Sequence, residues 1–348
     1  MLTPAGIERE RGVSAKVSRH LSRFHRLFSR RGHTPFIAGN RLTLFPQGSD
    51  FFPPLFEAID GACQAICAEF YIIRDDATGQ AFADRLIAAA LRSVHVYLLY
   101  DYIGCIDTPA TYFKRLTAAG VRCIPFNPPR FTRRIRFLDH RDHRKLAIVD
   151  NQYAFVAGLN IGDEYAGLGD PHKQLRDLGV RLEGPVVARL QQLFTLAWLR
   201  QGGEGLPLAR VRAEGSKVEK PGDARVLVVA GRPGQNRSFI RSAFRRAMAG
   251  TGQCIDIVTP YFIPGPFVLR SLMKAARRGV TVRLVLPAVS DVPFVRLLSR
   301  SYYGTLLKAG VQIFERQGTI LHAKLMAIDS RWVVIGSANM DLRSFHRN

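Results

Sequence analysis

The chain carries two copies of one motif, and this duplication most constrains what it can fold into. Each copy has a histidine, a lysine two residues later and an aspartate five residues after the lysine. A glycine or alanine, a glycine or serine, and an asparagine then follow at matching distances. The first copy is His143, Lys145, Asp150, Ala157, Gly158 and Asn160; the second, 179 residues later, is His322, Lys324, Asp329, Gly336, Ser337 and Asn339. Such a repeat is too specific for chance and predicts two similar structural halves.

The residues of each motif alternate as they do in a β-strand, which places the histidine and lysine on one face and the aspartate on the other. An imidazole beside an ammonium, with an asparagine amide on the next strand, suits a tetrahedral anion such as a phosphate. Two such sets allow a double displacement at phosphorus, because one histidine can attack while the other donates and then accepts a proton. This chemistry requires no metal and no other cofactor.

The paired motifs resemble the phospholipase D superfamily, from about Arg41 to the last residue. Further stretches are similar to bacterial cardiolipin synthases, most closely to the short form without transmembrane helices that is often called cardiolipin synthase B. These stretches are residues 181–187, 260–265, 275–280 and 337–344. Ala157 stands where the family usually has glycine, and alanine is small enough for the turn. The resemblance implies phosphatidyl transfer between two phosphatidylglycerol molecules through a phosphatidyl-histidine, with release of glycerol.

The resemblance also implies roles for individual residues. The catalytic residues of the first motif are His143, Lys145 and Asp150, and those of the second are His322, Lys324 and Asp329. Analogy makes His143 the nucleophile, although the symmetry of the motifs allows the reverse. Asn160, Asn339 and Ser337 are expected to bind phosphate. Asp177, 34 residues after His143, is the expected orienting carboxylate of the first half.

Some of these residues also have a structural interpretation. Asp150 and Asp329 lie on the strand face opposite their histidines, which favours salt bridges behind the pocket over a direct catalytic role. Tyr71 and Tyr261 could touch substrate, although aromatic residues at strand ends are more often part of a core. Ser337 could donate to phosphate or only form the turn.

The expected fold is α/β, with two similar phospholipase D-like halves that are each a mixed sheet flanked by helices, and with the active site at their interface. The expected division is a basic amphipathic segment over 1–40, a first domain over 41–201, a linker over 202–223 and a second domain over 224–348. A helix is predicted over 51–67, with Cys63 and Cys67 on one face. The oligomeric state is not determined by the sequence.

Charge indicates an anionic partner. The chain has 50 basic and 28 acidic residues, a formal charge of +22, which suits nucleic acid, an acidic membrane or phosphate-bearing substrates. Residues 16–31 place apolar side chains at helical spacing among basic ones, as in an interfacial helix, a disordered basic arm or a transit peptide. The arginine-rich residues 130–141 predict a lipid-facing lip or a solvated loop.

Phosphatidylglycerol and cardiolipin are therefore the expected partners, at the cytoplasmic face of a bacterial cell membrane as a peripheral protein. Five cysteines without zinc or disulfide spacing agree with a reducing compartment. Two alternatives stay open. A phosphodiesterase acting on nucleic acid would use the same residues, and a non-enzymatic scaffold could bind anionic membranes through charge alone.

The last expectation concerns the carboxyl end. In the family pattern a glutamate follows a few residues beyond the second motif, and the sequence stops at Asn348 before that position. We therefore expect a truncated second half with an open sheet edge, in which His322 has no orienting carboxylate while the first half has Asp177.

Overall fold

The computed structural model describes residues 36–129, 141–204, 206, 220–230, 244, 248–290, 292–337 and 340–341. The basic segment predicted over 1–40 lies outside the described residues as far as position 35, and the first strand already begins at Ile37. The arginine-rich loop lies outside them except for Arg141, and Asn339 lies outside them as well.

The first half forms a mixed eight-stranded sheet. Its strands occur in the order β4-β3-β2-β5-β6-β8-β1-β9, with β2, β3 and β4 parallel and the other pairs antiparallel. The short β7 stands apart from this sheet. The strands are β1 (Ile37–Phe45), β2 (Ala65–Phe70), β3 (His95–Asp101), β4 (Arg122–Phe126), β5 (Lys145–Val149), β6 (Tyr153–Ala157), β7 (Leu175–Arg176), β8 (Gly179–Glu183) and β9 (Ala224–Val226).

Helices cover both faces of this sheet. They are α1 (Gly48–Asp60), α2 (Ala77–Leu91), α3 (Ala110–Ala118), α4 (Asp163–Ala166) and α5 (Val186–Arg200). All six residues of β2 are buried, as expected for a central strand of a sheet that helices cover on both faces. Ile66 and Ala68 enter the core beneath α1 and α2, while Cys67 enters the core beneath α5.

The predicted helix over 51–67 is wrong at its carboxyl end. The helix ends at Asp60, and Cys67 lies in β2. The backbone amides of Cys63, Gln64 and Ala65 are instead bound by the carboxylate of Asp150, so this segment turns directly into the strand. Cys63 and Cys67 therefore share no helix face.

The second half repeats the central part of the first. Its five-stranded sheet has the order β13-β12-β10-β15-β16, which matches β4-β3-β2-β5-β6 in strand direction as well as sequence. The elements are β10 (Cys254–Val258), β11 (Phe262–Ile263), β12 (Thr281–Pro287), β13 (Gln312–Arg316), β14 (Ile320–Leu321), β15 (Leu325–Ile328), β16 (Trp332–Ile335), β17 (Met340–Asp341), α6 (Pro266–Arg277), α7 (Pro293–Ser301) and α8 (Tyr303–Lys308). The predicted α/β fold with two similar halves is confirmed.

Apolar packing differs between the two sheets. In the second half, β10 and β12 bury Ile257 and Leu284 against α6 and α8, together with Phe244 and Met248 from a helical stretch that is only partly described. The opposite face carries the exposed pair Asp256 and Arg283, joined across β10 and β12. Within the described residues, helices therefore cover this sheet on one face.

Two short strands join the halves. β7 from the first half pairs in parallel with β14 from the second, with Leu175 opposite Ile320 and Arg176 opposite Leu321. Leu178, Leu321 and Ala323 form a small apolar cluster at this junction. β9, from the stretch predicted to open the second domain, pairs with β1 at the edge of the first sheet. No helix among the described residues combines the length and the apolar character needed to cross a bilayer.

Candidate active site at the junction of the two halves

The junction strands bring one residue of each half into contact. Asp177 directly follows β7 and His322 directly follows β14, so the register of the pair sets them opposite each other. The amide of His322 donates to the carbonyl of Arg176 at 2.8 Å and continues that ladder. The His322 Nδ1 atom lies 2.7 Å from the Asp177 Oδ2 atom, and the Lys324 Nζ atom lies 3.2 Å from the same oxygen.

This geometry corrects two expectations. Asp177 was expected to orient the histidine of its own half, and His322 was expected to have no orienting carboxylate. The structure instead pairs Asp177 with His322 across the junction. These expectations were wrong because the family spacing indicates that a carboxylate follows the first motif but does not indicate which histidine it contacts.

The charges of this cluster are coupled. Burial acts to raise the pKa of Asp177, but the charge of Lys324 and the hydrogen bond from His322 outweigh it, so the pKa of this carboxyl lies below its ordinary value. Burial and the charge of Lys324 lower the pKa of His322, against the opposing effect of Asp177. The lowered pKa favours an uncharged imidazole at neutral pH. Its Nδ1 atom lies 2.7 Å from both Asp177 Oδ2 and Lys324 Nζ, which leaves Nε2 for proton transfer.

Gly158 makes room for this carboxylate. A Cβ atom at Gly158 would lie 2.2 Å from both carboxylate oxygens of Asp177, far inside van der Waals contact. Its amide also donates to the carbonyl of Leu178 at 3.0 Å, which ties the turn to the segment that carries Asp177. The glycine of the first motif is therefore required by the His322 partner rather than by its own histidine.

The first half-site is built differently. His143 lies before β5, and His322 and Lys324 likewise lie before β15, so the strand predicted over each whole motif is wrong at its amino end. The imidazole stacks on Tyr71 with ring centroids 4.1 Å apart and an interplanar angle of 17°. The Lys145 Nζ atom donates to the carbonyl oxygen of His143 at 2.7 Å and lies 5.0 Å from the Tyr71 ring centroid. Tyr71 thus packs against both motif side chains.

The two half-sites influence each other. Burial and the charge of Lys324 lower the pKa of Lys145 to about 7, against the effect of Asp177. The charge of Lys145 in turn contributes to the lowered pKa of His322. Because Coulombic effects between groups fall with distance, the sets from the two halves share one electrostatic environment.

Contacts with two buried carboxyl groups hold the segment around His143. The Asp142 amide donates to Asp101 at 2.8 Å, and Arg144 donates to Glu69 at 3.0 Å. Burial and the charge of Asp142 raise the pKa of Glu69 well above its ordinary value, with Arg144 opposing. Arg141 is buried 3.4 Å from Asp101. For Arg141, therefore, the expectation of a lipid-facing or solvated side chain is wrong.

Asp150 and Asp329 both have structural positions away from the histidines. Each follows its strand in a left-handed conformation, with φ of 49° and 51°. Asp150 accepts three backbone amides at the start of β2, and Asp329 accepts those of Gly252, Gln253 and Cys254 at the start of β10. The structural interpretation fits, but the partners are backbone amides rather than the cations that a salt bridge requires.

The structure describes the asparagine and serine residues of the two motifs to different extents. Asn160 is buried and its Oδ1 atom accepts the Ile72 amide at 3.1 Å, which fixes the orientation of the side-chain amide. Ser337 is half-buried after β16, and Asn339 lies outside the described residues. Tyr165 hydrogen-bonds with the Asn160 side chain and packs edge-on to His322, with ring centroids 6.2 Å apart.

The chain was compared with known proteins. A family described as "Cardiolipin synthase, PLD-like domain" matches residues 244–348. A cardiolipin synthase of Geobacillus sp. (strain WCH70) is 35% identical over 95% of this chain, and cardiolipin synthase 2 of Bacillus anthracis is 37% identical over 95%. The chain belongs to the phospholipase D superfamily. It spans 66% and 64% of the length of these two relatives.

Two solved structures share the overall fold of this chain. Phosphatidylserine synthase of Haemophilus influenzae Rd KW20 superimposes with a TM-score of 0.66 and 14% identity, covering 94% of this chain and 84% of that one. A polyphosphate kinase of Porphyromonas gingivalis gives a TM-score of 0.55 and 15% identity over 88% of this chain and 43% of its own. At these identities the likeness concerns the fold alone.

Three residues of this phospholipase D-like site carried no clear signal in the sequence. Tyr165 lies in the four-residue helix α4, and Glu69 lies in an otherwise apolar strand. A glutamate in the middle of a buried strand is costly unless it is paired, so Glu69 could have been singled out on that ground. For Gly158 the motif marked the position but not the carboxylate that it accommodates. Among the described residues, no cluster of histidine, cysteine and carboxylate side chains is arranged to hold a metal ion.

Proposed function

We propose that this chain is the catalytic part of a phosphatidyltransferase that makes cardiolipin from two phosphatidylglycerol molecules. The observation that carries the proposal is the buried contact of Asp177, His322 and Lys324 across the junction, with Lys145 in the same electrostatic environment. Such a site combines an oriented imidazole with clustered ammonium groups, which is the chemistry that phosphodiester transfer needs. The likeness to curated cardiolipin synthases supports the choice of lipid.

In the proposed first step, a ring nitrogen of His143 attacks the phosphorus of one phosphatidylglycerol. The bond from phosphorus to the glycerol oxygen breaks, and that oxygen takes the proton of His322. The phosphatidyl group is then held on His143. Because burial and Lys324 lower the pKa of His322, the negative charge of the bound phosphodiester must raise it before this proton can be supplied.

In the second step, neutral His322 removes the proton from a primary hydroxyl of the second phosphatidylglycerol. The resulting oxygen attacks phosphorus, the bond to His143 breaks, and cardiolipin forms. Lys145 and Lys324 are proposed to bind the non-bridging oxygens, with the amides of Asn160 and Asn339 and the hydroxyl of Ser337 as further donors. The stacked ring of Tyr71 would hold the imidazole of His143 in position for attack.

The experiment uses detergent-dispersed phosphatidylglycerol labelled in its phosphate, with a chelator present. Wild-type protein should form labelled cardiolipin, and samples denatured at alkaline pH should retain label on the protein, because the phosphorus–nitrogen bond of a phosphatidyl-histidine is stable in base and labile in acid. His143→Ala should lose both signals. His322→Ala should lose turnover on phosphatidylglycerol but still trap label from a phosphatidyl ester of a good leaving group, since departure then needs no acid.

The matched control is His95→Ala, an exposed histidine at the amino end of β3, which should behave as wild type. Unchanged turnover in His143→Ala or His322→Ala would refute the two-histidine mechanism. Trapping in His143→Ala but not in His322→Ala would reverse their roles. Hydrolysis of DNA in the chelator, without conversion of lipid, would replace the proposal by a nuclease.

A further inference from the structure

Helix α7 exposes its large apolar side chains. Phe294 and Leu297, one helical turn apart, are 68% and 67% exposed, while the small polar Ser299 is buried against the protein. Val289 and Val292 in the preceding loop are also exposed. Four large apolar residues within nine positions therefore face solvent, whereas a helix that only supports a core would bury them.

The topology places this helix at the edge of the sheet that carries the second half-site. The loop before α7 leaves the carboxyl end of β12, and α7 packs against β11, which follows β10. β12 and β10 are parallel, so their carboxyl ends lie at one edge. Val258 at the end of β10 pairs with Leu325, directly after Lys324, so the half-site lies at this edge too.

The first half has an exposed apolar loop at the equivalent position. β3 occupies in the first sheet the place that β12 occupies in the second, and Tyr102 and Ile106 in the following loop are exposed, Ile106 at 63%. This loop packs against the backbone of Tyr71, next to His143. A Cβ atom at Gly104 would lie 2.0 Å from the carbonyl oxygen of Tyr71, whose ring stacks on that histidine. Each half thus presents apolar side chains beside its own half-site.

We propose that these two loops and α7 form a docking surface for an anionic phospholipid bilayer. The docking surface consists of Tyr102, Ile106, Val289, Val292, Phe294 and Leu297. The proposal rests on the proposed function and adds to it a defined way of reaching the substrate. Apolar side chains inserted at headgroup depth would hold the site at the level of the phosphodiesters.

Charge favours a bilayer over other occupants. The formal charge of +22 is attracted to an anionic surface, and Arg296 lies on α7 among the apolar residues. A second copy of the chain would bring two strongly positive molecules together, which opposes association through this face. A nucleic acid bound here would place its phosphate backbone against largely apolar side chains, although that backbone binds hydrogen-bond donors.

The test measures partitioning of the full chain onto vesicles of equimolar phosphatidylglycerol and phosphatidylcholine. The double variant Phe294→Ser/Leu297→Ser should partition about tenfold more weakly, because two side chains no longer transfer from water. The matched control is Leu91→Ser/Leu307→Ser. Those leucines are 74% and 54% exposed, and they precede β3 and β13 at the opposite edges of the two sheets. The control should partition as wild type.

A second measurement locates the contact directly. Phe294→Trp should show a blue-shifted emission on vesicle binding and quenching by brominated lipid beyond that of the two native tryptophans, whereas Leu91→Trp should show neither. Equal partitioning of the two double variants, or no quenching of Phe294→Trp, would overturn the docking surface. A double variant at α7 that loses self-association in light scattering but keeps vesicle binding would assign the face to a second copy instead.

Failure of this inference is distinguishable from failure of the proposed function. Turnover of detergent-dispersed phosphatidylglycerol does not require docking, so the α7 double variant should retain it. Vesicle binding through α7 without lipid turnover would refute the proposed function alone. Lipid turnover with unchanged vesicle binding of the double variant would refute the docking surface alone.

Discussion

Replacing Asp177 by asparagine would remove one negative charge from the candidate active site and leave the shape of the side chain nearly unchanged. The carboxylate is buried, with 1% of its side chain exposed, and lies 2.7 Å from His322 Nδ1 and 3.2 Å from Lys324 Nζ. The Leu178 amide donates to its other oxygen at 2.8 Å. In the variant, no negative charge would balance the buried ammonium of Lys324. The ammonium of Lys145, which is also buried, would lose the same counter-charge.

The expected loss of stability is about 3 to 4 kcal/mol at pH 7.4. Breaking a buried ion pair from one side costs about 3–5 kcal/mol. The cost is limited because Lys324 can release its proton instead, and for a lysine of ordinary pKa this requires about 4 kcal/mol at that pH. Where Lys324 is neutral in the folded variant, the unfolded chain binds one proton more than the folded one, so the deficit should shrink as pH rises, by up to about 1.4 kcal/mol per unit.

Activity should fall further than stability alone explains. Loss of the carboxylate that selects a histidine tautomer can reduce kcat by about 10⁴ in a serine protease, and we expect about 10³ to 10⁴ here. The measurements are urea unfolding between pH 7 and 9 and turnover of labelled phosphatidylglycerol under conditions in which the variant remains folded. The same comparison should be made with Asp256→Asn, which alters an exposed pair with Arg283 and should change neither quantity substantially.

A kcat of Asp177→Asn within threefold of wild type would refute the positioning role of this carboxylate. A stability deficit that grows rather than shrinks with rising pH would refute the charge argument. The two results are independent, because the first concerns the tautomer of His322 and the second the proton on Lys324.

Further predictions concern the groups around this cluster. Gly158→Ala should reduce kcat by about 10² or more in the turnover assay, because the Cβ atom would displace Asp177. The control is Gly304→Ala, where the described residues leave open space around the added Cβ atom. It should leave turnover unchanged and leave stability in urea unfolding unchanged or slightly higher. Binding of glycerophosphoglycerol at pH 8 should be accompanied by proton uptake, measured by calorimetry in buffers of different ionisation enthalpy, because the pKa of Lys145 is about 7 and that of His322 is also lowered before the phosphodiester binds. The share taken up by Lys145, about one proton, should be missing in Lys145→Met. Glu69→Gln should become increasingly more stable than wild type as pH rises above the ordinary pKa of glutamate, because a raised folded-state pKa makes the wild type lose stability there; parallel urea midpoints at pH 5 to 8 would contradict this.

Much of the fold was predictable from local pattern. Buried strands such as β2 and amphipathic helices such as α6 follow from hydrophobic periodicity, and the repeated motif implied that one arrangement occurs twice. Errors fell at element ends. The helix α1 ends seven residues before the predicted Cys67, because Asp150, 87 residues after Cys63, captures the amides that would have continued it.

The sequence by itself determined the chemistry that the site can hold. The types and spacing of His143, Lys145, His322 and Lys324 specify a phosphate-directed pair of half-sites, because residue type sets which groups donate protons or charge. A structural role for Asp150 was predicted from the two-residue period of a strand, but the residue lies in the turn after β5, and its backbone-amide partners could not be predicted from that period.

Only the tertiary structure decided which groups act on each other. The pairing of Asp177 with His322 depends on the register of β7 against β14, two short strands 145 residues apart in the chain. The pKa of Lys145 depends on burial and on Lys324 in the other half. Contacts of this kind come from packing between distant segments, whose free energies no local spacing encodes. The exposure of Phe294 on α7 has the same origin, because a helical pattern shows an apolar face but not whether the protein covers it.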